Sequence, residues 1–192
     1  GNNYMEMQAG ISFIVPAYNE ESSLHDTVDV IKTAAKKIGL TYEIIIVNDG
    51  SSDATPQIAD SLSQENQFVK TIHHDRNKGI GAAYKTGLSN ACFQYVMLVP
   101  GDNVWPADAL VSILAYKGEA DIVIPYIKSA GDKTPFRKFL SSAYTFIINL
   151  LFRLNVPYYN GIVLHKTNII KSISIDTDHF SYQTEALVKL LK

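Results

Sequence analysis

The chain has 192 residues, a formal net charge of −2, and 46% hydrophobic against 19% charged residues. That size is one domain with a substantial core. The balance excludes a disordered chain and gives no fold-wide electrostatic attraction to nucleic acid. A single cysteine, Cys92, excludes an internal disulfide; its apolar, helix-like surroundings read as a small core residue.

Gly1 to Gly10 is polar, unlike a signal peptide, and is expected to be poorly ordered. The first strand runs through Ile11-Ser12-Phe13-Ile14-Val15 and leaves in the polar turn Pro16-Ala17-Tyr18-Asn19-Glu20-Glu21. Leu24, Val28, Ile31, Ala35 and Ile38 fall at helical spacing, predicting an amphipathic helix over Glu21 to Ile38 that Gly39 stops. The apolar run Glu43-Ile44-Ile45-Ile46-Val47 predicts a strand over Tyr42 to Asn48, buried on both faces. It ends in Asp49-Gly50-Ser51-Ser52-Asp53, and Ser52 or Asp53 can cap a short helix with Pro56 in its first turn.

Further along, strands are expected at Phe68 to His73, Tyr95 to Val99 and Asp121 to Pro125, with helices at Gly79 to Asn90 and Ala107 to Tyr116. Lys128 to Thr134 reads as a loop and Pro135 to Arg153 as a long helix. A short strand at Gly161 to His165 and a last helix at Tyr182 to Lys192 complete the pattern. Alternating strands and helices imply an α/β fold, a mostly parallel central sheet flanked by helices on both faces. No run reaches the roughly 18 to 20 apolar residues of a membrane span. The nearest, Ala143 to Phe152, reads first as a buried helix. The alternative is a helix lying on a bilayer, with Arg137, Lys138 and Arg153 at its flanks.

Open α/β sheets bind ligands beyond the carboxyl ends of their strands, and three strand ends here are polar. Tyr18 offers a flat face to a base, and Asn19 or Glu20 can meet base or ribose donors. Asp49 ends an apolar strand, where a carboxylate is costly unless paired or facing a ligand. It can accept from a base imino N–H or a ribose hydroxyl, or cap its own turn. At Asp75-Arg76-Asn77-Lys78-Gly79-Ile80-Gly81, amides at a glycine-rich helix start can hold an anion, with Lys78 adding charge; close packing of Gly81 is the equal alternative. Asp102, in Val99-Pro100-Gly101-Asp102-Asn103, is placed to hold Mg²⁺ or Mn²⁺ together with phosphate oxygens. His73 and His74 read as ordinary strand residues. Asp176, Asp178 and Glu185 are candidate acids, of which Asp178 and Glu185 can serve as a general base.

Together these segments resemble the family 2 inverting glycosyltransferases, which have the GT-A (nucleotide-diphospho-sugar transferase) fold. Ile14 to Glu21, Val47 to Asp53 and Asn77 to Ala83 carry the likeness, which runs from about Ile11 to Lys192 in a single glycosyltransferase-like domain. Arg137 with Ser141, Tyr159-Asn160-Gly161, and Phe180 through Glu185 are similar to the dolichyl- or polyprenyl-phosphate sugar synthase branch. The resemblance implies a nucleotide-diphosphate sugar donor, a divalent metal, and a lipid-phosphate or saccharide acceptor. By position, Pro16, Ala17, Tyr18, Glu20 and Asp49 would bind the nucleoside, with Lys78 and Gly79 beside them. Asp102 would hold the metal, Arg137 would contact a phosphate, and Glu185 would stand among the catalytic groups.

There are departures. Pro100 replaces the first Asp of the family's Asp-X-Asp turn, Val104 stands where a polar residue is usual, and Ile127 with Lys128 stands where an Arg is usual. The chain stops where relatives continue into membrane segments, so a truncated or a short form is expected, cytoplasmic or at the inner face of a membrane. Two rivals remain: a nucleotide-sugar-binding domain without transfer activity, motivated by Pro100 and Val104, and a nucleotidyltransferase, which would want a glycine- and arginine-rich loop after the first strand.

Overall fold

A computed structural model describes residues 7–125, 135–159 and 161–192; the side chains of 135–138 also fall outside it. The expectations for Ile127, Lys128, Asn160 and the Arg137 and Lys138 side chains therefore lie outside the described residues. In chain order the elements are β1 (Gln8–Ala17), α1 (Leu24–Ile38), β2 (Tyr42–Asn48), α2 (Thr55–Glu65), β3 (Val69–His73), α3 (Ile80–Asn90) and β4 (Phe93–Leu98). They continue with α4 (Ala107–Leu114), β5 (Ile122–Val123), α5 (Pro135–Phe152), β6 (Leu164–Lys166), α6 (Thr167–Lys171) and α7 (Tyr182–Leu191).

The six strands form one sheet in the order β3-β2-β1-β4-β6-β5. The first four are parallel, and β6 runs antiparallel to both β4 and β5. The order turns back at β1, which lies between β2 and β4, so the crevice expected of such a sheet opens beyond β1. β2 shows why its sequence is apolar throughout. Ile44 and Ile46 point into the cluster under α1 and α4, while Ile45 and Val47 point into the cluster with α3 and α7. All four are fully buried, each worth about 1.5–3 kcal/mol relative to exposure. The α1 stripe of Leu24, Val28, Ile31 and Ala35 is buried as its spacing implies. Gly39 ends that helix at φ 65°, its N–H reaching the carbonyls of Ala35 and Lys36.

Four expectations change. β1 starts at Gln8, inside the segment expected to be poorly ordered, because Gln8 pairs with Phe93 of β4. Cys92 is exposed just past α3; its thiol and amide both donate to Glu43 Oε1, at 3.0 and 2.9 Å. Glu43 is itself buried and also accepts from Ser12 Oγ and Lys70 Nζ, both at 2.7 Å. Burial, and after it the bond to Glu43, hold the Cys92 thiol above its ordinary pKa; the two bonds make Cys92 a partner of a buried carboxylate, not a core filler. α5 is not a buried helix. Tyr144 and Ile148 pack inward, but Phe139, Leu140, Phe146, Ile147, Leu150 and Leu151 are 49–68% exposed. At 100° per residue these six span an arc of about 140°. Finally, α6 has no counterpart among the predicted elements; five residues are too few for a periodicity to show.

β6 carries one exception to polar satisfaction. His165 is buried, and its Nδ1 has no hydrogen-bond partner. Burial pushes its pKa down to about 4 from 6.5. The unfolded chain therefore binds more protons than the fold between these values, and stability is lost as pH falls from about 6.5 toward 4. His165→Phe should flatten that part of the profile. Urea unfolding at steps from pH 7 to pH 4 should show the wild type losing up to about 3 kcal/mol more than the variant.

Candidate functional site

The turns after β1 and β2 are bonded to each other residue by residue. Asn19, in a left-handed conformation at φ 56°, donates its N–H to Ser51 Oγ at 3.0 Å and accepts from Ser52 N–H at 2.8 Å. Glu20 N–H donates to Thr55 Oγ1 at 2.7 Å. Glu21 and Asp53 exchange roles: Glu21 N–H donates to Asp53 Oδ2 at 3.1 Å, and Glu21 Oε2 accepts from Ala54 N–H at 2.8 Å. Asp53 Oδ1 also takes the Thr55 N–H at 3.0 Å, a capping role for α2. The β4 turn joins from the other side. Gly101 N–H donates to the Pro16 carbonyl at 3.0 Å, and Thr27 Oγ1 donates to the Gly101 carbonyl at 3.0 Å.

Pro16, Ala17, Tyr18, Glu20, Asp49 and Asp102 thus stand on three adjacent strand ends. Tyr18 is 48% exposed and Asp102 is exposed, so ring face and carboxylate are open to a ligand. The Glu20 carboxylate is turned back onto Ser23 Oγ at 2.6 Å. Asp102 Oδ1 takes only a 3.3 Å bond from Val104 N–H, which leaves most of its acceptor capacity free. Pro100 supplies no side-chain oxygen. Among the described residues no three His, Cys, Asp or Glu groups gather as a cage.

Asp49 is different in kind. It is 3% exposed, and its carboxylate is held by three donors. Oδ1 accepts from Lys78 N–H at 2.9 Å and from His74 Nδ1 at 2.6 Å; Oδ2 accepts from Gly79 N–H at 2.8 Å. The expectation that the amides of Lys78 and Gly79 hold an anion is corrected by these bonds, because both are committed to Asp49. Two amides further on, Gly81 and Ala82 N–H, donate to the Asp178 carbonyl at 2.7 and 3.1 Å. Lys78 Nζ pairs with Asp75 at 2.8 Å. The glycines serve packing. A Cβ on Gly50 would strike the Arg76–Asn77 backbone, one on Gly79 would lie 2.5 Å from the Asp178 carbonyl, and one on Gly81 would lie 2.6 Å from that of Thr177.

His74 was missed by sequence reasoning. It lies past the end of β3, bonded to Asp49 on one side and to Thr86 Oγ1 on the other at 2.9 Å. Nothing local marks it, since Asp49 is 25 residues away. The segment before α7 forms a strap over the start of α3. Lys85 pairs with Asp178 at 2.6 Å. Glu185 accepts from the N–H groups of Asp176 and Thr177, each at 2.9 Å, and from Lys189. Although burial works the other way, those donors draw its pKa down to about 2. A carboxylate so weakly basic corrects the expectation of Glu185 as general base: it holds the strap. Asp178, exposed and paired with Lys85, is likewise held below the usual carboxylate range. The α5 backbone carries Arg137 near the helix start.

The sequence profile described as Glycosyl transferase family 2 matches residues 12–179. The undecaprenyl-phosphate 4-deoxy-4-formamido-L-arabinose transferase of Salmonella typhimurium is 30% identical over 142 residues, covering 73% of this chain and 42% of that protein. Its counterpart in Salmonella paratyphi A is 29% identical with the same coverage. The chain thus spans less than half the length of these curated relatives. In structure, it is similar to glucosyl-3-phosphoglycerate synthase from Mycobacterium tuberculosis, solved with Mn²⁺, UDP and glucosyl-3-phosphoglycerate. That match has a TM-score of 0.73 at 14% identity over 94% of this chain and 64% of the other. S. aureus TarS 1-349 with UDP-GlcNAc gives 0.58 at 19% identity, over 92% and 53%. The fold is therefore GT-A.

The strap and the loop below it leave no room for one methyl group. Gly81→Ala should lower the unfolding free energy by about 1–3 kcal/mol, the usual cost of overpacking, measured by urea titration. An unchanged midpoint would mean that the strap does not press on α3.

Proposed function

The chain belongs to glycosyl transferase family 2, and on that premise we propose that it transfers a sugar with inversion from a nucleotide-diphosphate sugar to a lipid-phosphate acceptor. The observation that carries this reading is the joining of three strand ends, which sets the open face of Tyr18 and the open carboxylate of Asp102 on one crevice around Asp49. In this reading Tyr18 stacks on the base, Pro16 and Ala17 form the crevice floor, and Glu20 and Asp49 meet nucleoside hydroxyl or N–H groups.

Asp102 fits a divalent ion, because Mg²⁺ is often held by one or two carboxylates with phosphate oxygens and water completing the set. Bound there, Mg²⁺ or Mn²⁺ would offset charge on the leaving diphosphate. As the resemblance implies, Arg137 would supply a cation for a phosphate. The site's acids support a phosphate acceptor. Glu185 and Asp178 are both held as weak bases, and a phosphate is already ionised at neutral pH, whereas a saccharide hydroxyl wants a base.

The exposed apolar arc of α5 supports an acceptor presented by a membrane. No described helix is long and apolar enough to cross one, but an 18-residue helix, about 27 Å long, can lie in the interface with its apolar face down. We place the domain on the cytoplasmic face of that membrane. Pro100 favours a second reading, donor binding without turnover, which the same assay separates.

With radiolabelled nucleotide sugars and polyprenyl phosphate in detergent, Mn²⁺-dependent transfer is expected, and Asp102→Asn should reduce it at least 100-fold, about 2.7 kcal/mol of barrier. Transfer to saccharide hydroxyls but never to polyprenyl phosphate would overturn the acceptor; donor binding with no transfer to any acceptor would establish the second reading. In a separate measurement, the chain should float with anionic lipid vesicles. The double substitution Phe146→Asp, Leu150→Asp should abolish flotation without lowering the melting temperature, since both side chains face outward.

A further inference from the structure

A series of polar groups runs from α2 to the crevice on one side of the sheet. Asn48 and His73 are register partners at the ends of β2 and β3. Asn48 is buried, and its Oδ1 accepts the Ser51 N–H at 3.1 Å. A backbone N–H can only donate, so the amide oxygen of Asn48 is the atom turned to the loop. Its Nδ2 therefore faces His73 Nδ1 as a donor, at 3.0 Å, and that ring nitrogen must carry a lone pair. The ring proton then sits on Nε2, 3.0 Å from Asp60 Oδ1 on α2. At the other end, Ser51 Oγ takes the Asn19 N–H at 3.0 Å, beside Tyr18. Asp60, His73, Asn48, Ser51 and Asn19 are thus linked in one order, from the outer side of α2 to the turn that carries Tyr18.

We propose that His73 is a positioning residue for the donor crevice and that only its neutral ring serves. A protonated ring donates at both nitrogens, so its Nδ1–H would meet the Asn48 NH₂. Turning the Asn48 amide over only moves the conflict, because the same NH₂ then meets the Ser51 N–H. One donor faces another whichever way the amide points, and the loop that holds Asn19 loosens. Acid reaches the ring, whose side chain is 38% exposed, and histidine changes charge in the range where such a loss can be measured. From α2 the ring faces the Asp60 carboxylate, and from β2 the uncharged Asn48. Asp49 and His74, the next residues on, pair with each other on the α3 side, where His74 also meets Thr86. The inference rests on the reading of these strand ends as a nucleotide crevice. It adds that donor occupancy falls with acid through a residue outside the crevice.

Nitrogen-15 spectra of the histidine side chains at pH 8 should show the His73 ring with its proton on Nε2; a proton on Nδ1 overturns the series. Affinity is then measured by calorimetry in MnCl₂ at pH 8 and pH 5.5, with whichever of UDP, GDP, CDP and ADP binds tightest. His73→Phe, which removes the acceptor, should weaken binding about fivefold at pH 8, the usual effect of one hydrogen bond. His73→Asn, whose Oδ1 can stand at the place of Nδ1, should match the wild type at pH 8 and bind about threefold tighter than it at pH 5.5. Comparing the two proteins at one pH cancels the nucleotide's own titration. Equal affinities of wild type and His73→Asn at pH 5.5, or a folded His73→Phe protein that binds as the wild type does, overturn the role of His73. Failure of the underlying crevice reading looks different: no nucleotide binds the wild type at pH 8, although His73 shows its proton on Nε2.

Discussion

A buried carboxylate must be matched by donors, and the arrangement of this crevice follows from how Asp49 is matched. β2 is apolar on both faces because the sheet is covered on both faces, and it delivers Asp49 to its end with almost no water around it. An ionised group there is tolerable only if surrounding N–H groups turn to it. The loop after β3 does so, with Lys78, Gly79 and His74 converging on one side chain. Once that loop is drawn in, the start of α3 is fixed, and α3 in turn takes the Asp178 carbonyl as its cap.

The outcome divides the acidic residues by environment. Glu43 and Glu185 are held by donors and serve the architecture, and Asp49 is held by three donors at the edge of the crevice. Asp102 is left with a single weak internal bond on an exposed turn. The group with the fewest obligations inside the protein is the one with the most acceptor capacity for a ligand. Glu185 is a candidate on sequence grounds, but three donors draw on its basicity.

The parallel half of the fold was legible because its signals are local. The bounds of β2 are those its apolar run gives, and α1 keeps its expected stop at Gly39. The three polar strand ends were legible from the residues themselves, and the family likeness gave them roles. Three other features were not legible, each for a physical reason. The apolar stripe of α5 has helical spacing whether protein or lipid covers it, so periodicity could not tell a buried face from an open one. The bond between Gly81 and Asp178 joins residues 97 apart in sequence, and its formation turns a suspected anion cradle into an internal cap. The role of His74 depends on where β3 ends relative to β2, a matter of register that the histidine pair itself does not carry.

The close approach at Gly50, Gly79 and Gly81 has a consequence for how such a chain can change over generations. Gly50 and Gly81 face backbone alone, and Gly79 faces the Asp178 carbonyl together with the His179 ring. No neighbouring substitution creates space there, since every amino acid brings the same carbonyl and amide. Drift at these three sites is therefore closed by geometry. A lineage can exchange the polar residues that meet its ligands while these three glycines stay, and the more durable mark of the site is where side chains are absent.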